Sequence, residues 1–273
     1  MALYHAHANY ISRASTNSSC SHAAYICGEK VTDFRTNTSF DYRNKAAEVV
    51  YKNILLPQGA EYLNSTEKLW NAVEEFEDKI AEERYGKYDD PIKKAKSLAA
   101  KERFLAKAVT AFKIECSLPL EMTLPEKKEL SDRIAKEIFG SRNLIVQYAI
   151  HDIKNNPHVH YVANFRPVID GEFSKRKIYF EASDIKAIRK QIADITNDYA
   201  AEKGYNFAID HRSYLEQGIE IEPTKHRGWW ASKFIDNSRI VLENNEILSK
   251  NAARLLEDPH ELLKVLVQNK TVF

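Results

Sequence analysis

Three histidines fall within ten residues, His151, His158 and His160, on the two sides of a polar turn that contains Asn155-Asn156-Pro157. His158 and His160 are two apart, so in a strand their side chains leave from one face. His151 closes the preceding apolar run and can meet them across an antiparallel pair. Three converging imidazoles suit a divalent metal that keeps positions open for substrate. The competing reading is a polar hairpin whose histidines face water; the third histidine, beyond the turn, favours the metal site. Such an ion can polarise a phosphodiester oxygen and orient an in-line displacement, with water or a side chain as nucleophile. A tyrosine nucleophile would leave a phosphotyrosine ester that keeps the energy of the broken diester and permits rejoining. Its hydroxyl, ordinarily near pKa ~10, needs a metal or a base to react. Glu115 and Glu121 are the carboxylates that could act as base or tune the metal and its ligands. For Glu121 the plainer reading is that it opens the next turn.

These groups must be positioned by strands. Tyr148-Ala149-Ile150 leads into the turn and Tyr161 to Phe165 leads out, which predicts two paired strands from about 143 to 166. Further strands are predicted over Ala2 to Tyr10, over Val49 to Leu56 ended by Pro57, over Phe112 to Leu118, and briefly over Asn206 to Ile209. A helix begins after Asn17, Ser18 or Ser19, any of which can cap it, and carries Ala23-Ala24-Tyr25 before Gly28. By local sequence alone Tyr25 is an ordinary core tyrosine. A helix from Ser65 shows Leu69, Val73, Phe76 and Ile80 at helical spacing, with Glu74, Glu75, Glu77, Asp78, Glu82 and Glu83 on what reads as a solvated face. Asp89-Asp90-Pro91 interrupts it, and a second charged helix runs towards Val109. Its lysines Lys93, Lys94, Lys96, Lys101 and Lys107 read as solvated, with contact to a phosphate backbone as the lesser alternative. Leu124 to Phe139 and Ala182 to Glu202 are helical, and helical pattern returns from about Lys233 to the end. Lys175-Arg176-Lys177 is the densest basic triplet, and Lys225 to Trp230 mixes cationic with aromatic groups.

The chain has 273 residues, enough for one large domain or a domain with an appendage. A formal net charge of +1, from 40 basic and 39 acidic residues, gives no general bias towards nucleic acid, so any basic surface must be local. Cys20, Cys27 and Cys116 form no metal motif and read as free thiols of a reducing compartment. There is no secretory leader pattern, and no apolar run nears the roughly 20 residues of a membrane helix. A cytoplasmic protein is therefore expected. The apolar end Thr271-Val272-Phe273 reads as a cut from a longer chain.

Along nearly its whole length the sequence resembles the relaxase domain of the MobA/MobL (MobQ) family of HUH endonucleases, in its TraA-type conjugative transfer form. The resemblance rests on Ser12-Arg13, Ala23-Ala24-Tyr25 with Gly28-Glu29-Lys30, Leu69 to Glu74, Leu118-Pro119-Leu120-Glu121, Ala149 to Asp152 with Asn156 to His160, and Ile209 to Tyr214 with Gln217 to Glu220 and His226-x-Gly228. It implies an α+β fold, a central antiparallel sheet with helices packed mainly on one face and the histidines and a DNA channel on the other. It implies that Tyr25 is the nucleophile, nicking one strand at an origin of transfer, and that His151, His158 and His160 hold Mg²⁺ or Mn²⁺. It places Glu121 and Glu115 in the active site, and makes single-stranded DNA the substrate, with accessory relaxosome and coupling proteins as further partners. Bases would stack on Tyr or Trp while Lys and Arg neutralise phosphates. Residues 1–245 would form the relaxase domain, with a charged helical insertion at about 74–108 where this chain is longer than the family pattern. Residues 246–273 would be a helical tail opening a linker to a helicase segment. His22, where a smaller residue is usual, reads as solvent-facing, with assistance to Tyr25 as the alternative.

Three rivals remain. A rolling-circle replication initiator or HUH transposase shares the chemistry but usually places its tyrosine after the histidines. A metal-dependent phosphoesterase would use water. A catalytically idle DNA-binding module would keep only the fold.

Overall fold

A computed structural model of the chain describes residues 5–15, 18–85, 87–153, 156–222 and 239–257. Its strands are β1 (Ala6–Ser12), β2 (Lys30–Asp33), β3 (Thr38–Asp41), β4 (Val49–Leu55), β5 (Val109–Ser117), β6 (Val146–Ile153), β7 (Asn156–Asn164), β8 (Val168–Ile169) and β9 (Glu172–Phe173). Five of them form the central antiparallel sheet in the order β1-β5-β7-β6-β4; β2 and β3 pair as a separate hairpin, as do β8 and β9. The helices are α1 (Ser19–Cys27), α2 (Thr66–Arg84), α3 (Pro91–Ala106), α4 (Leu124–Ile138), α5 (Ala182–Glu202) and α6 (Arg239–Glu257).

Strand alternation splits the core into two layers. Phe112, Ile114, Tyr148, Ile150, Val159 and Tyr161 point to one face, where Leu130, Ile134 and Ile138 of α4 and Ile188, Ile192 and Tyr199 of α5 cover them. Ala111, Ala149 and Val162 point to the other, under Ala23, Ala24 and Ile26 of α1 and Leu69, Trp70 and Val73 of α2. Each large side chain buried here contributes roughly 1.5–3 kcal/mol. The small residues on the second face let α1 lie close over the strands that carry the histidines.

Polar contacts fix α2 to the same face. The Trp70 indole donates to Gln147 Oε1 (2.6 Å), and Gln147 Nε2 donates to Thr66 Oγ1 (2.6 Å). Glu74 and Glu77, expected on a solvated face, are instead 1% and 2% exposed. Arg13 pairs with Glu74 (2.8 Å) and Asp78 (2.7 Å), while Arg166 clamps both oxygens of Glu77 (2.8 and 2.9 Å) with Lys177 at 3.0 Å. Burial pushes the Glu77 carboxyl up, but the Arg166 and Lys177 cations more than reverse this and hold it below the usual range. Helical spacing alone could not reveal this, because the cations come from just after β1 and from beyond β7.

The segment Asn206 to Ile209, expected as a strand, is irregular. Its backbone partner is a helix side chain: Asn197 of α5 donates to the Ile209 carbonyl (2.9 Å) and accepts from its N–H (2.8 Å). The expected boundary at 245 falls inside α6. The turn residues 154–155 and the segment 225–230 lie outside the described residues.

Candidate active site

The hairpin register sets His151 opposite His158, and His160 opposite Ala149 on one side and Glu115 on the other. Ala149 offers no bulk against the His160 ring. The three imidazoles gather with ring centroids 4.7–5.4 Å apart, and one ring nitrogen from each lies within 4.8 Å of the other two.

Each imidazole also has an oxygen that can only accept beside one nitrogen. His151 Nε2 donates to the Ile26 carbonyl (2.7 Å), His158 Nδ1 to the Asn156 carbonyl (2.7 Å), and His160 Nδ1 faces Glu115 Oε2 at 3.4 Å. Partners of this kind select the tautomer and leave the second nitrogen bare for a metal. Burial, then the neighbouring rings of His151 and His158, push the His160 pKa down to about 2; burial also lowers that of His151. Neutral imidazole is the form that ligates. The donor set therefore fits a divalent ion held by three histidines.

Tyr25 comes from α1. The Ser18 hydroxyl caps the helix by accepting from the Ser21 N–H (3.1 Å), and Gly28 ends it in the left-handed region at φ 59°. A Cβ on Gly28 would come 2.7 Å from the Ala46 backbone, so glycine alone lets α1 end against the turn Arg43–Glu48. That turn brings Lys45 Nζ to 4.7 Å from the Tyr25 ring centroid. Burial works against the Lys45 charge, but Glu48 and Tyr25 outweigh it and raise its pKa. Tyr42 meets the Tyr25 ring edge-on at 5.5 Å. Tyr25 is 37% exposed, while its helix neighbours Ala24 and Ile26 are buried.

Tyr25, His160 and Glu115 line one cavity of about 300 Å³, together with His7, His22 and Lys113. Glu115 faces His7 across β1 and His160 across β7. His22 is part of this wall rather than a free surface residue; burial and then Lys113 push its pKa down to about 4. Glu121 is exposed, four positions beyond Ser117, the residue that pairs with His158. It is not among the residues lining the cavity. His7, Lys45 and Lys113 were not singled out from the sequence. His7 could have been, since it sits in a predicted strand with alternating faces; Lys45 reaches the site only through the Gly28 contact.

Among the described residues no helix is long and apolar enough to cross a membrane. The family model of the MobA/MobL family matches residues 17–87 and 99–237. The sequence is 26% identical to the conjugal transfer protein TraA of Agrobacterium fabrum, over 100% of this chain and 26% of that protein. It is 26% identical to the mobilization protein MobL of Acidithiobacillus ferridurans, over 84% of this chain and 62% of that one. A solved structure concerning the molecular basis of vancomycin resistance transfer in Staphylococcus aureus superposes with a TM-score of 0.63 at 25% identity, over 78% of this chain and 100% of its own. This chain thus spans about a quarter of the length of the TraA relative.

Proposed function

The chain belongs to the MobA/MobL family, and on that premise we propose that it is a relaxase domain that nicks and rejoins one DNA strand at an origin of transfer. The observation that carries this reading is the shared cavity: Tyr25 from α1 and His160 of the histidine cluster line the same space. His151, His158 and His160 would hold Mg²⁺ or Mn²⁺, with Ile26, Asn156 and Glu115 each engaging one nitrogen of a ring and leaving the other available. When bound, the ion supplies positive charge that polarises a phosphodiester oxygen.

The Tyr25 oxygen forms a bond to phosphorus as the bond to the 3′ oxygen breaks. The product is a 5′-phosphotyrosine ester and a free 3′-hydroxyl, and the proton lost by Tyr25 is matched by the one gained at the 3′ oxygen. Lys45 and Lys113 present ammonium groups beside the tyrosine and within the cavity wall, where phosphate charge would sit. Glu115 is a positioning residue that orients His160. Attack by a 3′-hydroxyl on the ester runs the sequence backwards and reseals the strand.

Conjugative transfer, with single-stranded DNA as substrate and accessory and coupling proteins as partners, follows as the larger role. Residues 1–245 would serve as the nicking domain, with the charged helical insertion at about 74–108, and 246–273 as a helical tail that would lead towards a helicase segment. Incubation with labelled single-stranded oligonucleotides carrying candidate transfer origins and Mn²⁺ tests this. A covalent adduct absent from Tyr25→Phe is expected; nicking without any adduct would instead make water the nucleophile and the protein a phosphoesterase.

A further inference from the structure

At the other end of β5 from the histidines lies a second groove, of about 730 Å³, between α2, α3 and the segment after β9. Its floor is formed by Arg166 and Lys177, whose charge is answered by Glu77. Its rim is different. Arg84, Arg103, Lys107 and Arg176 all line it and are exposed, and none has an ion-pair partner among the described residues. Among the described residues no carboxylate lines the groove. Aromatic rings line it beside these cations: Arg84 lies 5.6 Å from the Tyr85 ring and 5.9 Å from that of Phe104, and Tyr179, which also lines the groove, is 60% exposed.

Arg84 and Arg103 occupy the last turns of α2 and α3, where a cation offsets the helix dipole. That accounts for two of the charges, and Lys107, the C-cap of α3, sits at the same helix end. Lys175, which also lines the groove, is answered by Glu83. Arg176 comes from an irregular segment and has neither a helix end nor a carboxylate among the described residues to answer it, so the groove keeps a surplus. In a chain whose net charge is +1 the surplus is local, not a consequence of overall basicity.

We propose that this groove binds single-stranded DNA, with phosphates on Arg103, Lys107 and Arg176 and a base stacked on Tyr179. A cationic groove with interleaved rings matches a strand whose bases are unpaired better than a duplex, whose bases are hidden. The proposal rests on the nicking function above and extends its substrate contacts. From Glu115 to Val109 along β5 is roughly 20 Å, so the groove holds a flank of the substrate strand and not the scissile bond.

Fluorescence anisotropy with a labelled oligothymidylate, in EDTA so that binding is read without cleavage, tests it. The triple variant Arg103→Ala, Lys107→Ala, Arg176→Ala is expected to bind at least about tenfold more weakly and to lower the salt slope by about 2, near 0.7 for each phosphate no longer neutralised. Tyr179→Ala is expected to cost about tenfold. The triple Lys93→Ala, Lys94→Ala, Lys96→Ala removes the same charge from exposed positions outside the groove, and is expected to keep both affinity and slope near wild type. Equal losses in the two triples, no loss in either, tighter binding of duplex than of single strand, or no binding by the wild type would each overturn the proposal. Groove-dependent binding by a protein that forms no adduct would overturn the nicking reading alone.

Discussion

The Nε2 of His151 lies 2.7 Å from the carbonyl oxygen of Ile26, the residue that follows Tyr25 in α1. A carbonyl only accepts, so this ring nitrogen carries the proton and Nδ1 is left bare. One contact thus ties the last turn of the tyrosine helix to the histidine cluster and selects a tautomer at the same time.

If the three bare nitrogens hold an ion, the ion stabilises the fold by mass action, about 2.7 kcal/mol at a concentration one hundred times the Kd. Mn²⁺ should raise the melting temperature of the wild type and EDTA should reverse it. His158→Ala and His160→Ala should abolish most of the Mn²⁺ shift in a thermal unfolding assay. A full shift in either variant would remove that histidine from the site.

Glu115 should act through His160. Glu115→Gln keeps the shape but weakens the acceptor, and loss of such a partner typically costs about 10–100-fold in metal affinity. Calorimetric titration with Mn²⁺ should show that loss without a change in stability of the metal-free protein. Unchanged affinity would reduce Glu115 to a bystander.

Glu77 should be far costlier to remove than the more exposed Glu83 of the same helix. Glu77→Gln leaves Arg166 and Lys177 facing a buried neutral group, and breaking a buried pair in this way costs about 3–5 kcal/mol. Glu83→Gln, which breaks an exposed pair with Lys175, should cost about 1 kcal/mol or less. Urea unfolding of the two variants separates the cases.

The metal-free protein should lose stability in acid. The His22 pKa is pushed down to about 4 and that of His160 to about 2, so below about pH 6.5 the unfolded chain takes up protons that the folded chain does not. These groups therefore leave stability level above about pH 6.5 and lower it as pH falls, His22 until about pH 4 and His160 beyond that. His22→Phe should flatten the upper part of the decline, by at most about 3 kcal/mol. Urea midpoints measured between about pH 7 and pH 4.5 in EDTA check both the sign and the window.

The histidine cluster was legible in the sequence because its geometry is local. Strand alternation and one hairpin register place all three rings, and those follow from spacing. Tyr25 was legible only through family resemblance: nothing around Ala23-Ala24-Tyr25 says that α1 crosses the histidine face, since that depends on Ala111, Ala149 and Val162 in distant strands. Lys45 was invisible for the same reason, because its approach depends on Gly28 meeting Ala46. Glu74 and Glu77 read as solvated because their partners, Arg13 and Arg166, lie 61 and 89 positions away. The β2–β3 hairpin went unrecognised, its strands being four residues each.

The central claim is that the Tyr25 hydroxyl attacks DNA phosphorus beside the three histidines. Peptide mass mapping after reaction with a single-stranded origin oligonucleotide and Mn²⁺ tests it most directly. The account predicts a nucleotide-phosphate adduct on the peptide that contains Tyr25, at that side chain, and none when EDTA replaces Mn²⁺. An adduct on another residue, or a clean nick with every peptide unmodified, would contradict it.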